Sequence, residues 1–438
     1  MQEKTKVELK REVGVWGLAL NAINLTIGAG IFVLPAIVAE KLGAASFTAY
    51  LFCAILIILI MLCFAEVGSK ITTSGGAYAY VDAAFGPFVG FIINTLFWLG
   101  YCIMADAAVA NALFDLVKDL SSIFLLPFSR IFFFLLVLGI FAFINIIGVK
   151  SGVRFIMILT ILKIVSLLLI IGIGVFHIST KNIILHSIPE FNTIGETSLL
   201  LLFAFFGAET ALSISGEVKH PNKTIPKAIF ICIAVVVIIY LLLQFVVQGV
   251  LGDELFLHQT KPLLVVALKL VGPIGGMVIF IATVVSMIGL LSGDILASSR
   301  ILYAASAKKM LPEFLNKLHP SFATPIWSII AYSFLIIVFA VFGSFSSLAL
   351  LASSSVLVIY LAVVLSVIKL RYTKRKEDDS TFKIPFGLTI PLLAIAVIVW
   401  FLSNLKFDEI KKLLIFILLT AVYYLFNKLI RNKKNSHS

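Results

Sequence analysis

Long apolar runs separated by short polar segments extend along almost the whole of this 438-residue sequence. Hydrophobic residues make up 61% of the chain and charged residues only 13%, which is far from the composition of a soluble domain. In helical form, about 20 apolar residues cross a hydrocarbon core about 30 Å thick. The sequence therefore predicts an all-α integral membrane protein with twelve transmembrane helices. The twelve runs are residues 13–39, 44–68, 88–117, 131–147, 153–176, 197–215, 228–251, 272–305, 325–342, 347–368, 390–402 and 413–425.

The basic residues are unevenly distributed among the segments that connect these runs. With the N-terminus in the cytoplasm, 24 of the 34 Lys and Arg residues fall in cytoplasmic segments and 9 in external ones, and Lys163 lies within a run. Because cytoplasmic loops of membrane proteins are enriched in Lys and Arg, both termini are predicted to be cytoplasmic, in the cell inner (cytoplasmic) membrane. The net charge of +12 does not indicate nucleic-acid binding, since the basic residues form no patch with interleaved aromatic residues.

Other compositional signals exclude several kinds of site. The four cysteines, Cys53, Cys63, Cys102 and Cys232, all fall in apolar runs, so no extracellular disulfide framework is expected. The first run is too long for a cleavable signal peptide and lacks a small-residue cleavage site, and it is expected to direct its own insertion. Neither a cofactor nor a metal site is predicted, and no feature specifies an oligomeric state.

Two glycines interrupt the first run, in the segment NLTIGAGIFVLP, where Gly28 and Gly30 precede Pro35. Because backbone groups in lipid must be hydrogen-bonded within the protein and glycine disfavours helix, we interpret the segment as an unwound turn. The alternative is a surface of small residues for close helix packing. The sixth run, LLFAFFGAETALSISGE, carries Gly207 near its middle. This matching interruption favours the unwound turn.

The paired interruptions also suggest an internal repeat, because transporters built from inverted repeats place broken helices at matching positions. Residues 13–176 hold five runs and residues 197–368 hold another five, in units of similar length. Since five is odd, consecutive units insert with opposite topology. We predict a five-plus-five inverted-repeat core with discontinuous helices one and six, followed by two appended helices in residues 385–430. The charged segment 369–385 is interpreted as a solvated cytoplasmic loop.

An unwound turn inside a membrane creates ligands from the backbone itself. The N–H groups at the start of one half-helix attract a carboxylate, and the carbonyls at the end of another accept hydrogen bonds from an ammonium group. Together, two such turns predict a binding site for an amino acid zwitterion.

Four segments carry a family resemblance: IGAGIFVLP, TSGGAYAYVDAAFGPFVGF, FAFFGAET with GEVKHPNKTIPKAI, and SSRILYAASAKKMLPEFLNKLHP. In this order they resemble the amino acid–polyamine–organocation (APC) superfamily of secondary transporters. The resemblance implies amino acid transport by alternating access. It also implies that the carboxylate side of the substrate contacts Thr26, Ile27, Gly28, Ala29 and Gly30. The backbone at Phe203, Ala204 and Phe206 would receive the substrate amine, and Tyr101 is a further candidate contact.

One of these positions departs from the family pattern. Many members have serine between the two glycines where this chain has Ala29, which removes a hydroxyl but leaves the backbone donors in place. The resemblance also implies gating residues. Phe203 would act as an aromatic lid, and the alternative is a packing residue in a chain with 38 phenylalanines. Glu209 would belong to an inner gate or fasten backbone groups freed by unwinding, and Phe97 and Tyr360 would be its aromatic partners.

Four ionisable residues lie within apolar runs: Asp106, Lys163, Glu209 and Asp294. Such residues are costly in lipid and are functional candidates by default. No HExxH or GxSxG motif accompanies them, so we predict that the protein is not an enzyme, and the absence of a filter repeat disfavours an ion channel.

The two aspartates have different predicted roles. Asp106 is predicted to favour a substrate with a cationic or amine-bearing side chain, the alternative being a helix–helix hydrogen bond. Asp294 is expected to satisfy polar groups at a helix interface, with no role in transport.

Lys163 lies ten residues into its run, which places it about 15 Å deep. An ammonium group at that depth must find a partner or lose its proton. Similar family members carry a lysine where the broader fold can hold sodium, which implies that Lys163 binds and releases a proton. The alternative is a permanently charged structural lysine. We therefore predict proton-coupled symport of an amino acid, with obligate exchange of an amino acid for a related amine as the alternative mechanism.

Overall fold

The computed structural model describes residues 11, 13–72, 75–126, 128–147, 153–185, 189–307, 310–322, 324–373 and 381–435. These residues are helical almost throughout, and the β-type pairing among them is a single bridge between Val13 and Val218. An all-helical chain is what a membrane-spanning bundle requires, because each helix satisfies its own backbone hydrogen bonds.

The first half of the chain contains eight α-helices, α1 to α8. Their bounds are α1 (Val15–Thr26), α2 (Gly30–Leu42), α3 (Ser46–Lys70), α4 (Ala77–Phe85), α5 (Pro87–Thr95), α6 (Met104–Val117), α7 (Ser129–Ile147) and α8 (Val153–Gly174). A π-helical segment, Leu96–Ile103, joins α5 to α6, so that one continuous helix runs for 31 residues. Such wide turns occur frequently at functional sites, and this one carries Phe97 and Tyr101.

The second half contains nine α-helices, α9 to α17. Their bounds are α9 (Phe191–Leu201), α10 (Ala208–Ala211), α11 (Pro221–Leu251), α12 (Pro262–Val271), α13 (Pro273–Ala307), α14 (Ile326–Phe342), α15 (Phe345–Tyr372), α16 (Thr389–Ser403) and α17 (Phe407–Asn435). The 3₁₀ turn Leu202–Phe205 extends α9, and a second 3₁₀ turn, Leu212–Glu217, follows α10.

Eight helical stretches in the described residues are long and apolar enough to cross a membrane. A ninth is obtained if α16 and α17, which are bent by 114° at their junction, are counted as one span. In this count, α2 and α3 form one stretch of 41 residues, about 60 Å of helix. The 3₁₀ turn Gly43–Ala45 divides that stretch. The count does not include shorter apolar helices such as α1 and α14. The count of twelve spans and the inverted repeat therefore stay predictions.

Two short helices, α4 and α12, occupy segments that the sequence analysis treated as loops between spans. Glycines with positive φ bound α4 on both sides, Gly76 at +52° and Gly86 at +83°. Proline stands at the first position of α12, where its missing N–H costs no hydrogen bond. With 9 and 10 residues, these helices are too short to give the signal of a membrane span.

The broken helices lie at the centre of the bundle. Helix α1 packs against α8, α10 and α11, while α13 packs against α6, α8 and α14. By contrast, α7 and α8 present large apolar side chains at the surface, including Phe143 and Leu162. The residue after Leu162 is Lys163, which is only 1% exposed. Helix α8 thus turns one face outward and brings its lysine to the centre.

A buried carboxylate ties the last two helices to the rest of the bundle. Glu66, near the end of α3, accepts hydrogen bonds from Lys70 Nζ (3.0 Å), Arg371 Nε (2.8 Å) and the Ile384 backbone N–H (3.0 Å). Buried carboxylates need such donors. Arg371 and Ile384, near the two ends of the segment 369–385, are thereby held to α3, while Lys369, Tyr372 and Lys383 are exposed and residues 374–380 lie outside the described residues.

Candidate functional site

The first break separates α1 from α2 at residues 27–29. The Ile27 N–H closes α1 on the Ile23 carbonyl (2.8 Å), and the Gly28 N–H turns back to the Thr26 carbonyl (2.9 Å). At the start of α2, the Phe32 N–H donates to the Ala29 carbonyl (3.0 Å). The N–H groups of Gly30 and Ile31, which precede Phe32 in the first turn of α2, have no intrahelical acceptor, as is usual at a helix N-terminus.

The second break lies between the 3₁₀ turn that extends α9 and the start of α10. Phe206 is extended there, and Gly207 has φ = +124°. This backbone conformation is accessible mainly to glycine. The sequence requires glycine here for a second reason, because a Cβ atom on Gly207 would lie 2.4 Å from the Leu25 carbonyl oxygen.

Main chain packs against main chain where the two breaks meet. A Cβ atom on Gly30 would lie 2.7 Å from the Cα of Ala204, in the same way that Gly207 approaches Leu25. The Tyr240 hydroxyl, from α11, lies between the breaks at 2.9 Å from the Ala204 carbonyl and 3.2 Å from the Thr26 carbonyl. The two unwound segments thus form one unit.

Lys163 caps the carbonyl end of the first break. Its ammonium group donates to the Asn24 side-chain oxygen (2.8 Å), the Ile27 carbonyl (3.2 Å) and the Asn24 carbonyl (3.3 Å). The Ser286 hydroxyl, from α13, also donates to the Ile27 carbonyl (3.3 Å). Three acceptors match the three N–H donors of a protonated lysine. A cation is also the favoured charge at the C-terminal end of a helix.

Glu209 caps the amide end of the second break. Both of its carboxylate oxygens lie 3.2 Å from the Gly207 N–H, and the side chain is 1% exposed. A carboxylate is the favoured charge at the start of a helix. Tyr101 and Tyr360 lie beside the same carboxylate.

A cavity opens between the broken helices, the π-helical segment, α6 and α13, and its empty volume of about 410 Å³ includes open solvent. Predicted binding residues form much of its wall. Those that line it are Thr26, Gly28, Ala29, Gly30, Tyr101, Phe203 and Phe206. The remaining wall residues, which the sequence analysis did not select, are Leu25, Ala105, Val109, Gly207, Thr210, Leu290 and Asp294.

Two predicted contact residues do not line the cavity. The Ile27 carbonyl accepts from Lys163 and Ser286, and the Ala204 carbonyl accepts from Tyr240. Thr26 lines the cavity, but its hydroxyl donates to the Ala22 carbonyl of its own helix (2.9 Å). The polar groups that the first break offers to the cavity are therefore mainly backbone groups.

The predicted gating residues belong to a chain of edge-to-face aromatic contacts. Phe203 packs against Phe345 with ring centroids 5.6 Å apart, on the α9 side of the cavity. Phe206 contacts both Tyr101 (5.5 Å) and Tyr360 (6.2 Å). Phe97, the remaining predicted aromatic gating residue, packs against Tyr101 at 5.5 Å. The cavity is thus bordered by aromatic rings on both sides of the second break.

Asp106 makes the helix–helix hydrogen bond that was the alternative to a role in specificity, and Asp294 lies beside the cavity. Asp106 is fully buried and accepts a hydrogen bond from the Tyr332 hydroxyl of α14 at 2.8 Å, which is a helix–helix contact. Asp106 does not line the cavity, whereas Asp294 does. The two carboxyl groups are neighbours, so Asp106 lies behind Asp294 as seen from the cavity.

Asn24, Tyr240 and Ser286 were not predicted from the sequence, and Asp294 was predicted to have no role in transport. A weak signal existed for Tyr240, which is a polar side chain in an otherwise apolar stretch of its helix, and for Asn24, which lies within an apolar run. Each of them can satisfy its polar atoms only through another element.

Comparisons with known protein sequences give one family and several similar transporters. The model of the amino acid permease family matches residues 13–426. The serine/threonine exchanger SteT of Bacillus subtilis (strain 168) is 29% identical, and the alignment covers 89% of each chain. The methylthioribose transporter of the same organism is 27% identical, over 98% of this chain and 95% of the relative. The human cystine/glutamate transporter is 30% identical, over 89% of this chain and 79% of the relative.

Proposed function

The chain belongs to the amino acid permease family, and from this premise we propose a secondary active transporter that moves amino acids by alternating access in symport with protons. The proposal includes a five-plus-five inverted-repeat core, twelve spans and a cytoplasmic-membrane location with both termini inside. Transport itself, across a membrane, is the activity by which the relatives are named.

One observation carries the proposal: each break has one end capped by a protein side chain and the other end next to the cavity. Lys163 caps the carbonyl end of the first break, and Glu209 caps the amide end of the second. The ends left for a ligand are the amide end of α2 and the carbonyl end of the turn after α9. A ligand that satisfies both must carry a negative and a positive group close together, as an amino acid does.

The substrate fits this arrangement in one orientation. Its carboxylate accepts hydrogen bonds from the N–H groups at the start of α2, beside Gly28, Ala29 and Gly30. Its ammonium group donates to backbone carbonyls near Phe203 and Phe206. The glycines allow the carboxylate to approach the backbone closely, and the missing hydroxyl at Ala29 leaves these backbone donors unobstructed.

Lys163 is the proposed site of proton coupling. A neutral lysine has only two N–H donors, so loss of the proton deprives one of its three present acceptors of the hydrogen bond from Lys163. The carbonyl end of α1 is then less firmly held to α8. Protonation of Lys163 and the packing of the first break are thereby linked.

A second mechanism, obligate exchange, is favoured by one specific observation. SteT, 29% identical over most of both chains, is named as an exchanger. In an exchanger the empty site does not return across the membrane, so that uptake requires substrate on both sides.

Uptake by the purified protein in liposomes tests these alternatives. We expect saturable uptake of a radiolabelled amino acid that is driven by an inward proton gradient, is unaffected by sodium, and proceeds into vesicles without internal substrate. Uptake that appears only after the vesicles are loaded with substrate would instead establish exchange. A dependence on a sodium gradient would refute the proton role of Lys163, and single-channel conductance without saturable uptake would refute the transporter proposal.

A further inference from the structure

Two neighbouring carboxyl groups, Asp294 and Asp106, lie at the cavity near the position of the substrate side chain. Neither has a role in the backbone contacts proposed above for the substrate carboxylate and ammonium group. Asp294, on α13, lines the cavity one helical turn beyond Leu290, which also lines it. Asp106, on α6, lies directly behind Asp294 and is fully buried. On α6 the cavity wall is formed by Ala105 and Val109, so Asp294 is a carboxyl group beside a largely apolar part of the wall.

The hydrogen bonds of the pair are incomplete. Asp106 Oδ2 accepts from the Tyr332 hydroxyl at 2.8 Å, but Asp106 Oδ1 and Asp294 Oδ1 are both buried without a protein donor. Two unpartnered carboxyl oxygens on neighbouring residues are the arrangement expected when the two groups hold a proton between them.

The surroundings favour this shared proton. The titratable side chains beside the pair are Tyr101, Cys102, Glu209 and Tyr332. None of these neighbours in the described part of the chain is a cation that offsets a second negative charge. Two adjacent buried carboxyl groups without such a cation cannot both ionise, and one of them keeps its proton.

We propose that Asp294, positioned by Asp106, selects amino acids whose side chain carries a hydrogen-bond donor, such as a hydroxyl or amine, over purely aliphatic ones. This inference rests on the proposed function, since it requires the zwitterion to lie between the two breaks. Asp294 is the residue that touches the substrate side chain. Asp106 is a positioning residue that shares the proton and is itself held by Tyr332.

The chemistry explains why the pair suits such a donor. An aliphatic side chain bound against Asp294 would leave the Asp294 oxygen that does not share the proton without a hydrogen bond, which is costly in a water-poor site. A hydroxyl or an ammonium group supplies the missing donor. Sites built to bond a polar group of the substrate therefore reject the analogue that lacks it more strongly than apolar pockets reject an added hydroxyl.

The test uses matched competitor pairs against uptake of a radiolabelled amino acid. Threonine and valine have nearly the same shape and differ in a hydroxyl, while lysine and norleucine differ in an amine. We expect at least one pair to show a preference for the polar member of about 10-fold or more in inhibition constant, which corresponds to about 1.4 kcal/mol. The ratio of the two inhibition constants within a competitor pair does not depend on how much of the protein is folded.

Three variants distinguish carboxyl groups that select the substrate from carboxyl groups that have only a structural role, by their effect on the ratio of inhibition constants. Asp294→Asn and Asp106→Asn each resemble the protonated carboxyl and should keep the ratio within about 3-fold of wild type. Asp294→Leu, of similar size but without polar atoms, should reduce the ratio to about 1. An unchanged ratio in Asp294→Leu, or no preference within either pair in the wild type, would overturn the inference.

A second measurement separates failure of this inference from failure of the proposed function. Thermal stabilisation of the purified protein by threonine, valine, lysine or norleucine reports binding without requiring transport. The same preference, and its loss in Asp294→Leu, should appear in this assay. If these amino acids neither bind nor enter vesicles, the proposed function is at fault. If they are transported without any preference that depends on Asp294, the inference alone fails.

Discussion

In each broken helix a charged side chain caps one exposed end of the backbone, and the two charges are opposite. At the first break, the cation of Lys163 caps the carbonyl end of α1; at the second, the anion of Glu209 caps the Gly207 amide at the start of α10. Each charge matches the helix end that it faces. The difference leaves opposite backbone ends beside the cavity, which is why a zwitterion suits the site better than a simple ion.

The two caps also differ in where they come from. Glu209 follows Gly207 by two residues, so its cap moves with the helix that it belongs to. Lys163 is 136 residues away from Ile27, on a different helix. Any displacement of α8 relative to α1 must change the cap on the first break but not the cap on the second. The first break is therefore the better candidate for coupling a proton to a conformational change.

The contact between the breaks can be disrupted most severely at Gly207. In Gly207→Ala, the methyl group meets the Leu25 carbonyl oxygen at 2.4 Å, and φ of +124° is strained for alanine. We expect proton-driven uptake in proteoliposomes to fall by at least about 1,000-fold, which corresponds to about 4 kcal/mol. Gly139→Ala is the matched control, because a Cβ atom there meets nothing within 4 Å. Uptake near the wild-type level in Gly207→Ala would contradict the close approach of the two breaks.

Removal of the cation tests the cap on the first break. Lys163→Ala leaves the Asn24 and Ile27 carbonyls without the ammonium donor, and we expect concentrative uptake driven by pH to fall about 100-fold. Leu162→Ala, at the adjacent lipid-facing position, should have little effect. The measurement is the initial rate of uptake at several external pH values. If Lys163→Ala keeps the full pH response of the wild type, the lysine is structural and carries no proton.

Removal of the anion tests the cap on the second break. In Glu209→Gln, the amide oxygen still accepts from the Gly207 N–H but the negative charge is lost. We therefore expect a smaller fall in uptake, about 10-fold, and a larger one in Glu209→Ala, which loses the acceptor as well. Glu196→Gln, on the exposed side of α9, serves as the control. Equal rates for Glu209→Gln and Glu209→Ala would mean that hydrogen bonding by this side chain is unimportant.

Loss of one hydroxyl tests the link between the breaks and should have the smallest effect. Tyr240→Phe removes the hydrogen bond to the Ala204 or Thr26 carbonyl, which is worth about 1 kcal/mol and predicts a fall in uptake of about 5-fold. Tyr50→Phe is a close control, since the buried Tyr50 hydroxyl has no hydrogen-bond partner. Identical uptake rates for Tyr240→Phe and Tyr50→Phe would show that this hydroxyl does not hold the two breaks together.

The sequence by itself determined the features that depend on local chemistry. Membrane-length apolar runs need no partner to be recognised, because the thickness of the bilayer sets their length. Glycine at positions 28, 30 and 207 predicted where the helices unwind, because glycine is the residue that tolerates both positive φ and close backbone approach. Glu209 was predictable as a candidate cap because it lies two residues from the break.

Only the tertiary structure decided which distant groups meet. A lysine in an apolar run needs hydrogen-bond acceptors. Its position in the sequence does not reveal that these acceptors are Asn24 and Ile27, about 140 residues away. The same limit applies to the aspartates, since a rotation of about 100° per residue separates a side chain that lines a cavity from its neighbour that points into a helix interface. For this reason Asp294 reached the cavity and Asp106 did not. The orientation of each helix within the packed bundle determines which of its side chains lines the cavity, and no local sequence pattern encodes that orientation.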